Sequence, residues 1–175
     1  MDLIDLIMSR RSIRKYKSMS IPDDLITKLL RVAMQAPSAH NMQPWNFVVI
    51  TDHKELTTIA GIHPYAEMLN EAPAAIAVCG DRLLESDEGY LALDCAAATQ
   101  NILLGATALG LGTVWIGIYP RSERISTLEK ILDLPENILP VSLVAVGYPH
   151  ETKKPVDRFQ TDRIFHNKYG NLRTT

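Results

Sequence analysis

The spacing of apolar residues alternates along the chain between the period of a helix and the short continuous runs of a buried strand. Helical spacing predicts four amphipathic helices, at residues 3–7, 25–33, 53–62 and 123–132. Apolar runs bounded by Gly, Pro or polar residues predict four strands, at residues 46–51, 74–80, 112–117 and 141–147. Since no linker or repeat interrupts this order, we predict one α+β domain over residues 1–175, with helices packed on a mixed sheet. Ser20 is predicted to cap the second helix.

Residues 90–109 form the longest apolar stretch and have almost no polar face. Such a sequence predicts a helix that is buried on every side, and Gly110 stands where a left-handed residue would end it. A helix of this length spans about 30 Å, close to the diameter of a domain of this size. Because one protomer is poorly able to cover it, the stretch favours a dimer.

Charge and hydropathy exclude several classes of function. The net charge of -2, from 18 Lys and Arg against 20 Asp and Glu, argues against a broad nucleic-acid or acidic-membrane surface. No stretch of about 18 residues has the continuous apolar character of a membrane span. Asp2 and Asp5 precede the first basic residues, which is the reverse of a secretory signal. We therefore expect a cytoplasmic protein without a nucleic-acid or membrane partner.

Residues that often bind metals or act as acids have no suggestive spacing. Cys79 and Cys95 lie in apolar runs and are interpreted as reduced core residues. The histidines lack ligand spacing, so we expect no metal site and predict that each lies on the surface or in a loop: His40, His53, His63, His150 and His166. Asp94 in the long helix has no second carboxylate at helical spacing, which favours a satisfied structural role over a catalytic acid.

The segment RRSIRKY, residues 10–16, is the main local excess of positive charge. It carries four cations and the hydroxyl of Ser12. Planar guanidinium groups bind phosphate oxygens in pairs and a serine adds a short hydrogen bond, so the segment suits a phosphate. A solvated basic turn that complements a helix dipole is the alternative interpretation.

The segment APSAHNMQPWNF, residues 36–47, joins a helix end to a strand through two prolines. The amides of Asn41 and Gln43 suit the polar edge of a heteroaromatic ring. A rigid loop with Trp45 as a core anchor is the alternative interpretation.

The segment LGLGTVWIG, residues 109–117, is not a dinucleotide fingerprint. Its first glycines follow a helix rather than a strand, and Trp115 stands where the third glycine of that fingerprint is required. What remains is a strand that ends at Gly117, where a glycine permits close approach of the backbone to a flat ligand.

In order and spacing, RRSIRKY, PSAHNMQPWNFVVI, LGLGTVWIG and VAVGYP resemble the nitroreductase family over essentially the whole chain. The resemblance implies a nitroreductase-like fold around a mixed, mostly antiparallel sheet, in an intertwined homodimer. It also implies two FMN molecules at the dimer interface, each touched by both chains, and a C-terminal tail, from about residue 150, that packs on the dimer. The chain lacks a long insertion of larger relatives, so the substrate pocket is either open or roofed by residues 62–71.

The resemblance also implies which residues contact the flavin. They are Arg10, Arg11, Ser12, Arg14, Pro37, Ser38, Ala39, Asn41, Trp115, Ile116, Gly117 and Arg158. By analogy with the family, Arg10 faces the phosphate and Arg14 approaches the pyrimidine edge near N1, whereas the role of Arg11 is open. Arg158 is favoured over Lys154 to complete the phosphate clamp.

The other segments take their implied roles from the same resemblance. Residues 37–41 reach the flavin from the partner chain, and the backbone N–H at residues 116–117 meets flavin N5, with Trp115 just before it. NADH or NADPH would deliver hydride to N5 and leave, after which a nitroaromatic or quinone is reduced in the same place, in a ping-pong cycle. No side chain need act as a general acid. Dehalogenating or flavin-cleaving chemistry, or a non-catalytic flavin-binding role, are the alternatives.

Overall fold

The computed structural model describes residues 2–154 and 156–173. Its helices are α1 (Leu3–Ser9), α2 (Asp23–Ala33), α3 (His53–Ile62), α4 (Glu88–Ala108) and α5 (Ser122–Ile131). Its strands are β1 (Trp45–Ile50), β2 (Ala74–Asp81), β3 (Gly112–Gly117) and β4 (Ile138–Gly147). Short 3₁₀ helices cover Ala39–Asn41, Glu67–Asn70 and Thr161–Arg163. The α+β class is confirmed, with each predicted element close to its expected position.

The strands form one sheet in the order β1-β2-β4-β3. All three strand pairs are antiparallel. The parallel element in the described residues is a single bridge between Ser12 and Thr113, at the edge of β3. The predicted mostly antiparallel sheet is therefore confirmed, and its outer strand β3 carries an attached segment from the N-terminal part of the chain.

Helices cover both faces of this sheet. On one face α2 and α4 pack through residues such as Leu29 and Ile102 against Val144. On the other face α3 and α5 pack through Leu56 and Leu128 against Leu143, the residue of β4 next to Val144. Alternate residues of β4 thus enter opposite cores, so the strand is buried along nearly its whole length.

The long helix α4 is buried on one side only. Leu91, Asp94, Ala98 and Ile102 belong to its buried side, whereas Leu93 is 67% exposed on the other. The prediction of burial all round therefore fails for the single chain. Gly110 adopts a φ of 73°, so the predicted left-handed residue after the helix is confirmed.

Two local predictions were wrong. Helix α2 has Pro22 at its N-cap, without a side-chain capping bond, so Ser20 lies too far back to reach the free N–H groups of the first turn. The sequence also predicts a turn framed by Pro135 and Pro140 before the last strand. Pro140 instead lies inside β4, beside a shift in the strand register between Val78 and Cys79. Proline has no N–H to donate, and an irregular register tolerates that loss.

The remaining sequence expectations concern cysteines, metals and membranes. Cys79 and Cys95 are free and buried, as expected, and burial raises the pKa of the Cys79 thiol to about 12. Within residues 2–154 and 156–173, no group of His, Cys, Asp and Glu side chains could hold a metal ion. No helix in that part of the chain is both long and apolar enough to span a membrane.

Candidate cofactor-binding site

The arginine segment lies along the outer edge of β3 and is fixed on both sides. The N–H of Ile13 donates to the carbonyl of Thr113 at 2.8 Å. On the opposite side, His150 N–H donates to the Lys15 carbonyl at 2.9 Å. Gly112 permits this close approach, because a Cβ at that position would lie 2.8 Å from the Ile13 side chain. The structure therefore places the segment beside the strand that ends at Gly117.

Arg10 and Arg158 of one chain lie close enough for their charges to interact. Burial lowers the pKa of the Arg10 guanidinium from its ordinary value, and the positive charges of Arg158 and then Arg11 lower it further. Among the described residues, no carboxylate forms a salt bridge with Arg10, Arg14 or Arg158. Clustered cations without an acidic partner repel one another, so an anion bound between them would reduce this electrostatic repulsion.

Arg11 differs from its neighbour because its guanidinium is already occupied by backbone carbonyls. It donates to the carbonyls of Met8 at 2.8 Å and Arg10 at 2.7 Å. It also donates to the carbonyls of Lys154 at 3.2 Å and Val156 at 3.4 Å. Arg11 thus ties the C-terminal tail to the end of α1, which brings Arg158 toward Arg10.

Glu151 supports the backbone of the arginine segment. Its Oε1 accepts from the N–H of Arg14 at 2.6 Å and of Lys15 at 3.3 Å. The bond from Arg14 is the main reason that the pKa of Glu151 lies below its usual value, with the nearby charge of Lys153 acting in the same direction. The lowered pKa keeps this carboxylate ionised in weakly acidic solution.

We predict that Glu151→Ala weakens binding of an anion at the arginine segment by about 1 kcal/mol, the net worth of a typical hydrogen bond. The loss frees the backbone of Arg14 without removing a positive charge. Glu151→Gln keeps an oxygen acceptor and serves as the matched control, with a smaller expected loss. Titration of both variants with FMN measures the effect, and equal affinities for Glu151→Ala and the wild type would contradict the prediction.

The end of β3 directs backbone N–H groups away from the rest of the sheet. Thr113 points its carbonyl away from β4, toward Ile13. Because backbone groups alternate in direction along a strand, the N–H groups of Trp115 and Gly117 also point away from β4. The Ile116 side chain is buried, so Gly117 is the better candidate for close approach. No atom would lie within 4 Å of a Cβ built on Gly117, which leaves open space for a flat ligand.

The carbonyl of Gly117 is held by two side chains from the α3 and α5 layer. The Nη1 of Arg124 donates to it at 2.8 Å. The Nε2 of His63 lies 3.1 Å from it. Since the N–H of Tyr65 donates to Nδ1 of His63 at 3.2 Å, the proton of the neutral ring belongs on Nε2, which then donates to Gly117. His63 lies in the bend after α3, in agreement with the loop alternative of its prediction, but it is only 6% exposed.

His63 should give the fold a defined pH dependence. Burial lowers the pKa of its imidazole, the positive charge of Arg124 acts in the same direction, and the bond to Gly117 opposes them. In the unfolded chain His63 therefore binds a proton near pH 6.5, whereas in the folded chain it becomes protonated only at a lower pH. As the pH falls below about 6.5, His63 destabilises the fold progressively.

We predict that the stability difference between the wild type and His63→Gln shrinks as the pH falls from about 7.5 to 5.5. Glutamine does not titrate in this range, so the variant lacks this contribution. Urea unfolding at several pH values measures the effect. A difference that is constant across the range would show that the His63 imidazole titrates alike in both states.

The loop at residues 37–43 is strained and held by Asp94. His40, Asn41 and Gln43 adopt φ values of 51°, 57° and 50°, a region that residues other than glycine rarely occupy. Oδ1 of Asp94 accepts from the N–H of Ala39 at 3.0 Å. Oδ2 is buried without a hydrogen-bond partner. The predicted satisfied role of Asp94 therefore holds for one oxygen and not for the other.

A cavity of about 470 Å³ opens between α3 and α5, beside the His63 and Arg124 side chains. Its wall is apolar at Ile59, Ile62 and Leu128 and positively charged at Arg121. Of residues 62–71, which the sequence offers as a roof for a substrate pocket, Ile62, His63 and Pro64 line this cavity.

The structure thus brings together two of the predicted groups and leaves the third apart. The arginine segment is bridged through Ser12 to Thr113 of β3, the strand that contains residues 115–117, and Arg158 lies close enough to Arg10 for their charges to interact. The loop at residues 37–43 is tied instead to α4, and no hydrogen bond within the described residues joins it to the other groups. Sequence reasoning missed Glu151, His63 and Arg124, because each bonds a backbone atom and the sequence gives no sign of where a backbone group points.

The chain is thus an α+β protein with a cluster of positively charged side chains beside an open sheet edge. Such an arrangement suits a flat ligand that carries a phosphate. The family profile described as "Nitroreductase family" matches residues 7–63 and 62–148. The chain is 43% identical over 169 residues to "Putative NADH dehydrogenase/NAD(P)H nitroreductase" of Methanothermobacter thermautotrophicus, covering 97% of this chain and 88% of the relative. The chain belongs to the nitroreductase family.

Solved structures agree with this assignment. The crystal structure of "Putative NADH dehydrogenase/NAD(P)H nitroreductase" from Parabacteroides distasonis superposes with a TM-score of 0.92 at 41% identity, covering 95% of this chain and 98% of that one. An "FMN-dependent Nitroreductase" from Clostridium difficile R20291 gives a TM-score of 0.88 at 27% identity, over 95% of this chain and 99% of that one. The predicted nitroreductase-like fold is therefore confirmed.

Proposed function

We propose that this chain is an FMN-dependent oxidoreductase that takes electrons from NADH or NADPH and reduces small electrophiles such as nitroaromatics or quinones. The observation that carries the proposal is a group of arginines beside an open sheet edge. Arg10 and Arg158 lack an acidic partner among the described residues, and their segment is bridged through Ser12 to the strand that ends at Gly117. A terminal phosphate and the edge of a planar ring are the two groups that such a site would bind.

The residues present fit FMN in charge and in shape. Arg10, Ser12 and Arg158 supply donors for a phosphate with two negative charges. Arg14 follows on the same segment, and its guanidinium would favour negative charge on the pyrimidine part of the ring. The open space at Gly117 accommodates a flat ring at van der Waals distance from the backbone.

Within this function the protein binds and orients, while bound FMN supplies the hydride-carrying chemistry. Arg10 and Arg158 would anchor the phosphate and fix the register of the ring along β3. The N–H of Gly117 would donate to the ring edge at N5, and Trp115 would flank the ring from the neighbouring strand position. No side chain of the site is required as a general acid.

A homodimer completes the proposal. The exposed apolar side of α4 at Leu93 and the exposed Leu3 and Ile4 of α1 are surfaces that a second copy would cover. Pro37, Ser38, Ala39 and Asn41 lie apart from the arginine segment in one chain, which supports their assignment to the flavin site of the partner. The tail from about residue 150 would pack across the same interface.

Purified protein should be yellow and should release FMN rather than FAD, because the arginine segment offers a terminal-phosphate site and the chain has no dinucleotide fingerprint. Mass analysis of the released flavin measures this, and FAD as the sole species would contradict it. Anaerobic titration with NADH and NADPH, followed by quinone and nitroaromatic acceptors, tests the activity. Bound FMN that neither nicotinamide reduces would favour a non-catalytic flavin-binding role.

A further inference from the structure

Two separate elements meet at the carbonyl of Gly117. His63 is the C-cap residue of α3, and Arg124 lies in the first turn of α5. Both bond to this one oxygen, at 3.1 Å and 2.8 Å. A backbone carbonyl has two lone pairs, so these two side chains together fill its acceptor capacity and leave no place for water. The pair therefore indicates that the position of this peptide is controlled.

Without these two bonds, little would restrict the backbone at Gly117. It is the last residue of an edge strand, has no Cβ, and has open space where a side chain would lie. A glycine in such a place samples many φ and ψ values unless its peptide groups are tied. Bonds at its carbonyl restrict ψ, and thereby the orientation of the backbone on either side.

Each of the two donors has a further contact with Tyr65. The N–H of Tyr65 donates to Nδ1 of His63, which fixes the plane of the imidazole. The guanidinium carbon of Arg124 lies 5.6 Å from the centroid of the Tyr65 ring, in cation–π geometry. His63, Tyr65 and Arg124 thus form a closed cluster whose shared target is Gly117.

We propose that His63 and Arg124 are positioning residues that hold Gly117 so that its outward N–H is aimed at the N5 edge of the bound flavin. They act on the cofactor through the backbone and need not touch it. This inference rests on the proposed FMN function. It also makes a statement about the flavin-free chain, because the cluster fixes Gly117 before any ligand binds.

The first experiment uses flavin-free protein. Backbone ¹⁵N relaxation of Gly117 is compared in the wild type, His63→Leu, Arg124→Met and the control Arg121→Met, which removes a charge from the same cavity without touching Gly117. The order parameter should fall from the rigid range of about 0.85 toward about 0.6 in His63→Leu and Arg124→Met. It should stay unchanged in Arg121→Met, and His63→Gln, which retains a donor, should lie between.

The second experiment uses the same proteins saturated with FMN. His63→Leu and Arg124→Met should shift the reduction potential of the bound flavin and slow its reduction by NADH about tenfold at saturating NADH, as expected for a misplaced reacting group. His63→Gln should restore part of the rate. Circular dichroism and the unfolding midpoint identify any variant that fails to fold. If His63→Leu fails to fold, Arg124→Met still provides the test, because Arg124 is only half-buried.

The inference is overturned if His63→Leu and Arg124→Met match Arg121→Met in both the order parameter and the potential. If the variants give that result and the wild type binds FMN, the proposed function stands without the inference. A wild type that binds no FMN, with loosened Gly117 in the variants, would instead contradict the proposed function and leave the backbone restraint established.

Discussion

Replacing Arg10 with alanine weakens FMN binding by about 1.5 to 3 kcal/mol, the usual worth of a hydrogen bond to a charged group. This corresponds to a rise of about 10- to 150-fold in the dissociation constant. The reason is that Arg10 and Arg158 stand together without a carboxylate partner in the described residues, so a phosphate is the group that would neutralise them. Fluorescence titration of flavin-free protein measures the change.

A matched variant separates the local role of Arg10 from a general loss of positive charge. Arg31→Ala removes the same side chain from an exposed position on α2, outside the arginine segment. Its affinity for FMN should equal that of the wild type. Equal affinities for Arg10→Ala and Arg31→Ala would remove Arg10 from the phosphate site.

Mixing two inactive variants should restore flavin sites if the site is shared between chains. When Arg10→Ala and Asn41→Ala are refolded together, random pairing makes about half of the dimers mixed, and each mixed dimer carries one intact site and one doubly altered site. About a quarter of all sites should then bind FMN at a concentration below the range in which either variant binds alone. Recovery above the average of the separate variants is the expected result.

The structure supplies the control for this experiment. Arg10 and Arg158 of one chain lie close enough for their charges to interact, so mixing Arg10→Ala with Arg158→Ala leaves every site with one lesion and should restore nothing. Native mass spectrometry verifies that mixed dimers form. If they form and the Arg10→Ala and Asn41→Ala mixture also restores nothing, residues 37–41 do not serve the site of the partner.

Elements with a local signal could be predicted from the sequence. The strands and α4 are continuous apolar runs, and the hydrophobic effect acts on such runs wherever they pair. The arginine segment stands out for a similar reason, because its charges are adjacent in the chain. Gly110 was predictable as well, since a left-handed residue after a helix strongly favours glycine.

Residues whose partners are distant backbone atoms could not be predicted. Glu151 binds an N–H more than 130 positions earlier in the chain, at Arg14, and a backbone N–H gives no sign in the sequence of where it points. His63 was expected on the surface or in a loop because the histidines lack ligand spacing. It does lie in the bend that follows α3, but it is buried there. Arg10 and Arg11 are neighbours of one type, and only the path of the tail separates their contacts.

The attachment of residues 12–13 to β3 also bears on how the protein avoids aggregation. An open sheet edge is a template on which a strand from another molecule can add, and proteins commonly cover or charge such edges. Here the bridge between Ser12 and Thr113 occupies the first part of the edge. Only the outward groups of Trp115 and Gly117 remain beyond it, and the carbonyl of Gly117 is already bonded. The stretch left open is too short to recruit a foreign strand, and the neighbouring arginines repel a second copy that approaches in the same register.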